Sequence, residues 1–164
     1  MTAAQDTPHT TLAEAIVDSS VLMCILVGEP AAPLFITALQ NTARLYVGAA
    51  TRAEAWLAAF NAKGMAGAEQ VEALLAALRV ETVDFTQDSL PHFVGGTERH
   101  HHRVDPKARL NLGDLFTYAL AKETGLPLFF QGTDFANTAI ANAMGLLGYG
   151  MSDKGVPQPL TASH

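Results

Sequence analysis

Ala15-Ile16-Val17 is a short, wholly apolar run closed by the polar triplet Asp18-Ser19-Ser20, after which Val21, Leu22, Ile25 and Leu26 recur at helical spacing up to Gly28-Glu29-Pro30. An unbroken apolar run of this length is what a strand buried on both faces requires, and the pattern after it is that of a helix with one apolar side. The alternation continues along the chain. Ala31–Leu39 predicts a second helix, Arg44–Gly48 a strand, Thr51 opens a helix that stops at Lys63-Gly64, and Ala68–Leu78 repeats apolar positions at 71, 74, 75 and 78. Val80–Phe85 predicts a third strand, Thr86–Val94 a helix weakened by Pro91, and Gly95–Arg109 a polar, basic loop. Asp114–Glu123 predicts a helix stopped by Gly125 and Pro127, and Leu128–Phe130 a fourth buried strand, followed beyond Gly132-Thr133-Asp134-Phe135 by a last helical segment.

Strands that alternate with helices in this way imply an α/β domain: a short central, mostly parallel sheet with helices on both faces. The expected boundaries are an N-terminal tail over 1–14, one domain over 15–147, and a C-terminal tail over 148–164, where Gly155, Pro157 and Pro159 interrupt any periodicity. The composition agrees, since 164 residues with 49% hydrophobic and 16% charged positions suffice for a real core and exclude a disordered chain. A formal charge of −6 argues against a generically basic nucleic-acid binder. Any phosphate-bearing ligand must then be met by a local basic patch or by a metal ion. One cysteine, Cys24, allows no internal disulfide, and neither a secretory signal nor a membrane span is visible, so a soluble cytoplasmic protein is expected.

The chemistry concentrates in four acids. Asp18 follows the first strand, Glu54 stands early in the helix after the second, Asp114 opens a helix, and Asp134 follows the fourth strand. In a parallel α/β sheet the loops after the strands' carboxyl ends share one edge, where ligands bind, so these four are candidates to converge. Several carboxylates in one pocket repel unless a cation compensates, and an all-oxygen set suits Mg²⁺ or Mn²⁺. Each acid also has a plainer reading. Thr51-Arg52-Ala53-Glu54 has the form of a capping box, and Asp18, Asp114 and Asp134 all stand near helix starts. His100-His101-His102 lies in the basic loop and reads as solvated, and Cys24, among Leu22, Met23 and Ile25, reads as a small core residue.

Three stretches, Ile16–Leu22, Ala50–Glu54 and Arg109–Ala121, followed by Leu128–Phe135, resemble the PIN-domain ribonucleases, in particular the VapC toxins of bacterial toxin–antitoxin pairs. Leu110-Asn111-Leu112-Gly113-Asp114 is the most specific part. The resemblance implies an endoribonuclease whose acids Asp18, Glu54, Asp114 and Asp134 hold Mg²⁺ or Mn²⁺, supported by Ser20 and Asn111. It further implies an RNA substrate, inhibition by a small antitoxin protein, and a homodimer. Relatives often carry one more acid where Thr138-Ala139-Ile140 is uncharged here, which bears on a second metal position. Arg52, Arg103, Lys107 and Arg109 form the local basic set expected to meet phosphates. The self-association is also motivated by Leu34, Phe35, Leu39 and Trp56, an apolar excess for one small core. Two other classes compete: a non-catalytic RNA- or partner-binding module, in which the acids are only caps, and a phosphoryl-transfer domain of similar build. The latter lacks the acidic pair, the late lysine, or the second Asp two residues after Asp18 that such domains need.

Overall fold

The chain runs β1 (Leu12–Val17), α1 (Ser19–Val27), α2 (Ala32–Gln40), β2 (Thr42–Gly48), α3 (Ala49–Lys63), α4 (Met65–Ala77), β3 (Glu81–Val83), α5 (Leu90–His100), α6 (Leu112–Thr124), β4 (Leu128–Phe129), α7 (Ala143–Leu146), β5 (Tyr149–Met151) and β6 (Pro157–Pro159). The computed structural model describes residues 10–159 apart from Pro106 and Ala108. The first four strands form a parallel sheet in the order β3-β2-β1-β4. Ile16 is opposite both Tyr46 and Leu128, and Val17 is opposite Phe129, which puts the carboxyl ends of β1, β2 and β4 at one edge.

The unbroken apolar run of β1 is explained by its central place. Strand side chains alternate between faces. Ala15 and Val17 join a core layer with Val21, Leu22, Phe35, Leu39 and Val71, while Ile16 joins the opposite layer with Leu110, Leu115, Leu120, Leu128 and Phe130. Phe35 and Leu39, two of the residues that seemed in excess, are therefore consumed by the core at 0% and 1% exposure. Cys24 is buried there as well.

Three parts of the chain depart from the sequence expectation. The helix expected over Thr86–Val94 begins instead at Leu90 and continues through the predicted loop to His100. Pro91 lies in its first turn, where the missing N–H costs nothing, and so starts the helix it was expected to weaken. Gly96 does not break the helix but forms a packing seam. A Cβ there would lie 2.6 Å from the Tyr118 ring, so only glycine lets α5 pack this closely on α6. The last helical segment expected beyond Phe135 is the single turn α7, with Asn142 as its cap.

The segment expected to be a tail from Gly148 is, as far as Pro159, an antiparallel hairpin of β5 and β6. Tyr149, Met151 and Val156 pack on the α1–α2 side of the core, and the glycine that looked like a breaker supplies the turn, at φ +69°. At the other end β1 already begins at Leu12, inside the expected N-terminal tail, while residues 1–9 and 160–164 lie outside the described part. Among the described residues no helix is long and apolar enough to cross a membrane.

Candidate active site

Asp18 ends β1 and caps α1 in extended backbone conformation. Its carboxylate is 2% exposed and fully engaged. One oxygen, Oδ2, accepts from the Ser20 backbone N–H at 3.1 Å and from Ser20 Oγ at 2.7 Å, and Oδ1 accepts from Thr117 Oγ1 at 2.9 Å. Thr117 Oγ1 is in turn 2.9 Å from Thr51 Oγ1, so with its own proton spent on Asp18 it accepts from Thr51. Ser20 Oγ accepts the Gln131 N–H at 3.1 Å, tying the end of β1 to the end of β4. The cap reading of Asp18 is thus correct and incomplete, since one carboxylate both caps a helix and gathers donors from α1 and α6, the latter backed by Thr51 of α3.

Glu54 is not a cap. Helix α3 begins at Ala49 behind Gly48, whose position makes no side-chain capping bond, so Thr51 and Glu54 lie inside the helix and the capping box does not form. The Glu54 carboxylate instead accepts from Ser19 Oγ at 3.2 Å and lies against Gly113. Any Cβ at 113 would come within 2.4 Å of Glu54 Oε2, so the glycine of the Leu-Gly-Asp segment makes room for this acid at the start of α6. Burial raises the Glu54 carboxyl above its ordinary value, the charge of Asp18 adds to the rise, and the Ser19 hydrogen bond opposes it.

Asp114 and Asn111 form the capping box of α6: Asn111 Oδ1 accepts the Asp114 N–H at 2.9 Å and Asp114 Oδ2 accepts the Asn111 N–H at 3.0 Å. Despite that stabilising bond, burial pushes the Asp114 carboxyl up to about 7, and the charges of Asp18, Asp134 and Glu54 act in the same direction. Asp134 stands on the loop after β4, where burial raises its carboxyl, Arg109 opposes the rise and Asp18 adds to it. Asp114 therefore feels the charges of all three other acids, and Asp18 acts on Glu54 and Asp134 as well, at the carboxyl edge of the sheet.

Their donor chemistry, all carboxylate oxygen with raised protonation in three of the four, is that of a site for a hard divalent cation. As the side chains stand, no three His, Cys, Asp or Glu groups among the described residues are gathered tightly enough to hold one ion.

The other expected residues divide. Arg103, Lys107 and Arg109 are exposed between α5 and α6, and Arg109 is the one whose charge reaches Asp134. Arg52 is instead spent in an ion pair with Glu72 on α4, with Nη1 donating to Thr82 Oγ1 at 2.8 Å, so it braces α3 against its neighbours and is removed from the phosphate-contact set. The histidines do not converge either: His100 packs on Tyr118 with ring centroids 5.3 Å apart, while His101 and His102 stack on each other. Sequence reasoning missed Thr117, Thr51 and Gly113 as parts of the site. Thr117, three residues after Asp114, lies on the same helix face, and that spacing is the signal that could have found it.

Comparison with known proteins assigns the chain a family. A family model for the PIN domain matches residues 15–141. Over 126 residues the chain is 31% identical to the VapC ribonuclease Mb0640 of Mycobacterium bovis, covering 77% of this chain and 95% of that protein. Over 131 residues it is 34% identical to ribonuclease VapC42 of Mycobacterium tuberculosis, covering 78% and 98%. Among solved structures, the sarcin-ricin-loop-cleaving toxin VapC20 of Mycobacterium tuberculosis superposes with a TM-score of 0.64 at 15% identity, over 77% of this chain and 96% of that one. A toxin–antitoxin complex from Klebsiella pneumoniae superposes at 0.59 and 20% identity, over 79% and 97%.

Proposed function

The chain belongs to the PIN-domain family and, within it, to the VapC ribonucleases, and from that premise we propose that it is a metal-dependent endoribonuclease, the toxin of a toxin–antitoxin pair. The observation that supports this reading is that Asp18, Asp134 and Glu54, from separate parts of the chain, all act on the charge of Asp114. Mg²⁺, with Mn²⁺ as substitute, is the proposed cofactor, and these four carboxylates are the residues that would hold it. Such an ion, when bound, lowers the pKa of a coordinated water and stabilises charge on phosphoryl oxygens.

The protein's own groups supply the rest. Ser20 and Thr117 hold Asp18 in a single orientation, so the first carboxylate is presented without further ordering. Asn111 does the same for Asp114 through the capping box. Glu54, oriented by Ser19 and raised by burial, is the group assigned to take the proton of the attacking water. Arg103, Lys107 and Arg109 line the approach as phosphate contacts, which answers the overall negative charge. A protein nucleophile is not part of this scheme: burial, with Glu29, pushes the Cys24 thiol up to about 11, and the Ser19 and Ser20 hydroxyls are engaged by the acids.

The partners proposed with this reading are RNA, a small antitoxin protein and a second copy of the chain. Exposed apolar side chains are available for protein contact at Leu57, Phe60 and Met65 on α3 and α4, and at Leu90, Val94 and Leu112 on α5 and α6.

Purified protein incubated with single-stranded RNA tests the reading. Cleavage is expected with Mg²⁺ or Mn²⁺ and not in excess EDTA. Asp114→Asn is expected to lower the rate by at least about a hundredfold, a barrier increase near 2.7 kcal/mol, with the fold intact because the amide oxygen still accepts the Asn111 N–H. Undiminished cleavage by this variant, or by the wild type in EDTA, overturns it.

A further inference from the structure

The hairpin of β5 and β6 lies beyond the residues matched by the PIN-domain family and closes over the loop that carries Asp134. Two turns meet there. Gly132 N–H donates to the Gly155 carbonyl at 2.9 Å, and a Cβ on Gly155 would lie 1.9 Å from the Gly132 carbonyl oxygen, so the backbones are in direct contact. Hairpin and loop enclose an open-sided cavity of ≈ 360 Å³, within the range of small-molecule sites. Phe130, Phe135, Ile140 and Met151 give it apolar walls, and Asn142 and Asp153 give it polar ones. Thr133 and Phe135, the residues on either side of Asp134, also line it, so the cavity adjoins the acidic site.

The lining narrows the occupant. The Asn142 amide oxygen is committed to the backbone N–H groups of Met144 and Gly145, which fixes the side chain and leaves its NH₂ as a donor. Asp153 is exposed, and its ionised carboxylate only accepts. A flat group whose edge carries both carbonyl or ring-nitrogen acceptors and N–H donors, attached to a phosphate beside Asp134, is a nucleobase. Building on the ribonuclease reading, we propose that the cavity receives one unpaired nucleobase of the RNA next to the cleaved phosphate, and that Asn142 and Asp153 choose among the bases by the order of donors and acceptors along their edges. Single-stranded RNA is read in this manner, by contact with aromatic and apolar side chains and by hydrogen bonds to the base edge.

The test gives wild-type protein and two variants, with Mn²⁺, a single-stranded RNA of randomised sequence, and the product ends are sequenced. Met151→Trp fills the cavity. Asp153→Asn, an exposed change that spares the fold, replaces one acceptor oxygen with a donor and decides the matter if Met151→Trp does not fold. The wild type is expected to prefer one base over the others by about tenfold at one position flanking the cut. Asp153→Asn should remove that bias, and Met151→Trp should flatten the preference among all four bases at the same position. A wild-type profile without base preference at either flanking position, or an Asp153→Asn profile identical to the wild type, overturns the base pocket while the ribonuclease reading stands. No RNA cleavage by the wild type overturns both.

Discussion

Two corners of the same acidic site are built on opposite principles. At the β1 corner, Asp18 has donors on both oxygens, from the Ser20 backbone, the Ser20 hydroxyl and Thr117, with Thr51 behind Thr117. A buried carboxylate with donors on both oxygens leaves no polar atom unpaired. At the α6 corner, half-buried Glu54 and buried Asp114 lie near one another and near Asp18, and both are pushed toward the protonated form. One corner is satisfied by the fold, while the other carries unrelieved repulsion that a cation would remove. A single site can therefore contain a rigid anchor and an electrostatically unsettled pair, and the two respond differently to substitution.

The contrast breaks most visibly at Thr117. Thr117→Val keeps the shape but withdraws the donor from Asp18 Oδ1 and the acceptor from Thr51, leaving buried polar groups unpaired. The expected loss of unfolding free energy is about 1–3 kcal/mol, measured by urea titration in EDTA, with a parallel fall in cleavage rate. An unchanged midpoint would mean that the β1 corner does not depend on its hydrogen bonds.

Glu54→Gln should show the reverse pattern. With a charge removed from the crowded corner, metal-free stability is expected to change by less than about 1 kcal/mol, or to rise. The cleavage rate at saturating Mn²⁺ is nonetheless expected to fall at least about tenfold, a barrier increase near 1.4 kcal/mol. A sharp loss of stability with a normal rate in the folded fraction would move Glu54 from the chemistry to the scaffold.

The mildest effect sharpens the comparison through pH. Asp114 keeps its proton in the folded chain up to about pH 7, whereas an unfolded chain releases it near the ordinary value of 3.8. Over that window the folded state binds more protons, so the metal-free protein loses stability as pH rises from about 4 to about 7. The slope should flatten in Asp114→Asn and in saturating Mn²⁺, as read from thermal midpoints across the pH range. A stability that rises through the same window in the metal-free wild type would contradict the buried state of this acid.

Much of this was legible along the chain because it is local. The all-apolar Ala15-Ile16-Val17 could only be a central strand, and it fixed the place of Asp18 at its end. Asp114 was legible as lying at a helix start, although α6 begins two residues earlier, at Leu112 behind the Asn111 cap. What escaped depended on contacts between distant segments. Gly95-Gly96 looked like loop until Tyr118 came against it, and Gly155 looked like a breaker until its turn met Gly132. The capping-box pattern at Thr51 misled for the same reason, since α3 starts two residues earlier and frees both Thr51 and Glu54 for partners far away in sequence.

The hydrogen bonds around Asp18 also set a schedule for synthesis. Thr117 lies 99 residues after Asp18, and Gln131 lies 111 residues after Ser20. At ordinary translation speeds the ribosome takes on the order of ten seconds to cover that distance. The first acid is thus made early, but its socket is among the last parts to emerge, so a nascent or truncated chain that ends before the fourth strand has no completed centre. The chain acquires its cutting edge only once nearly all of it has been made.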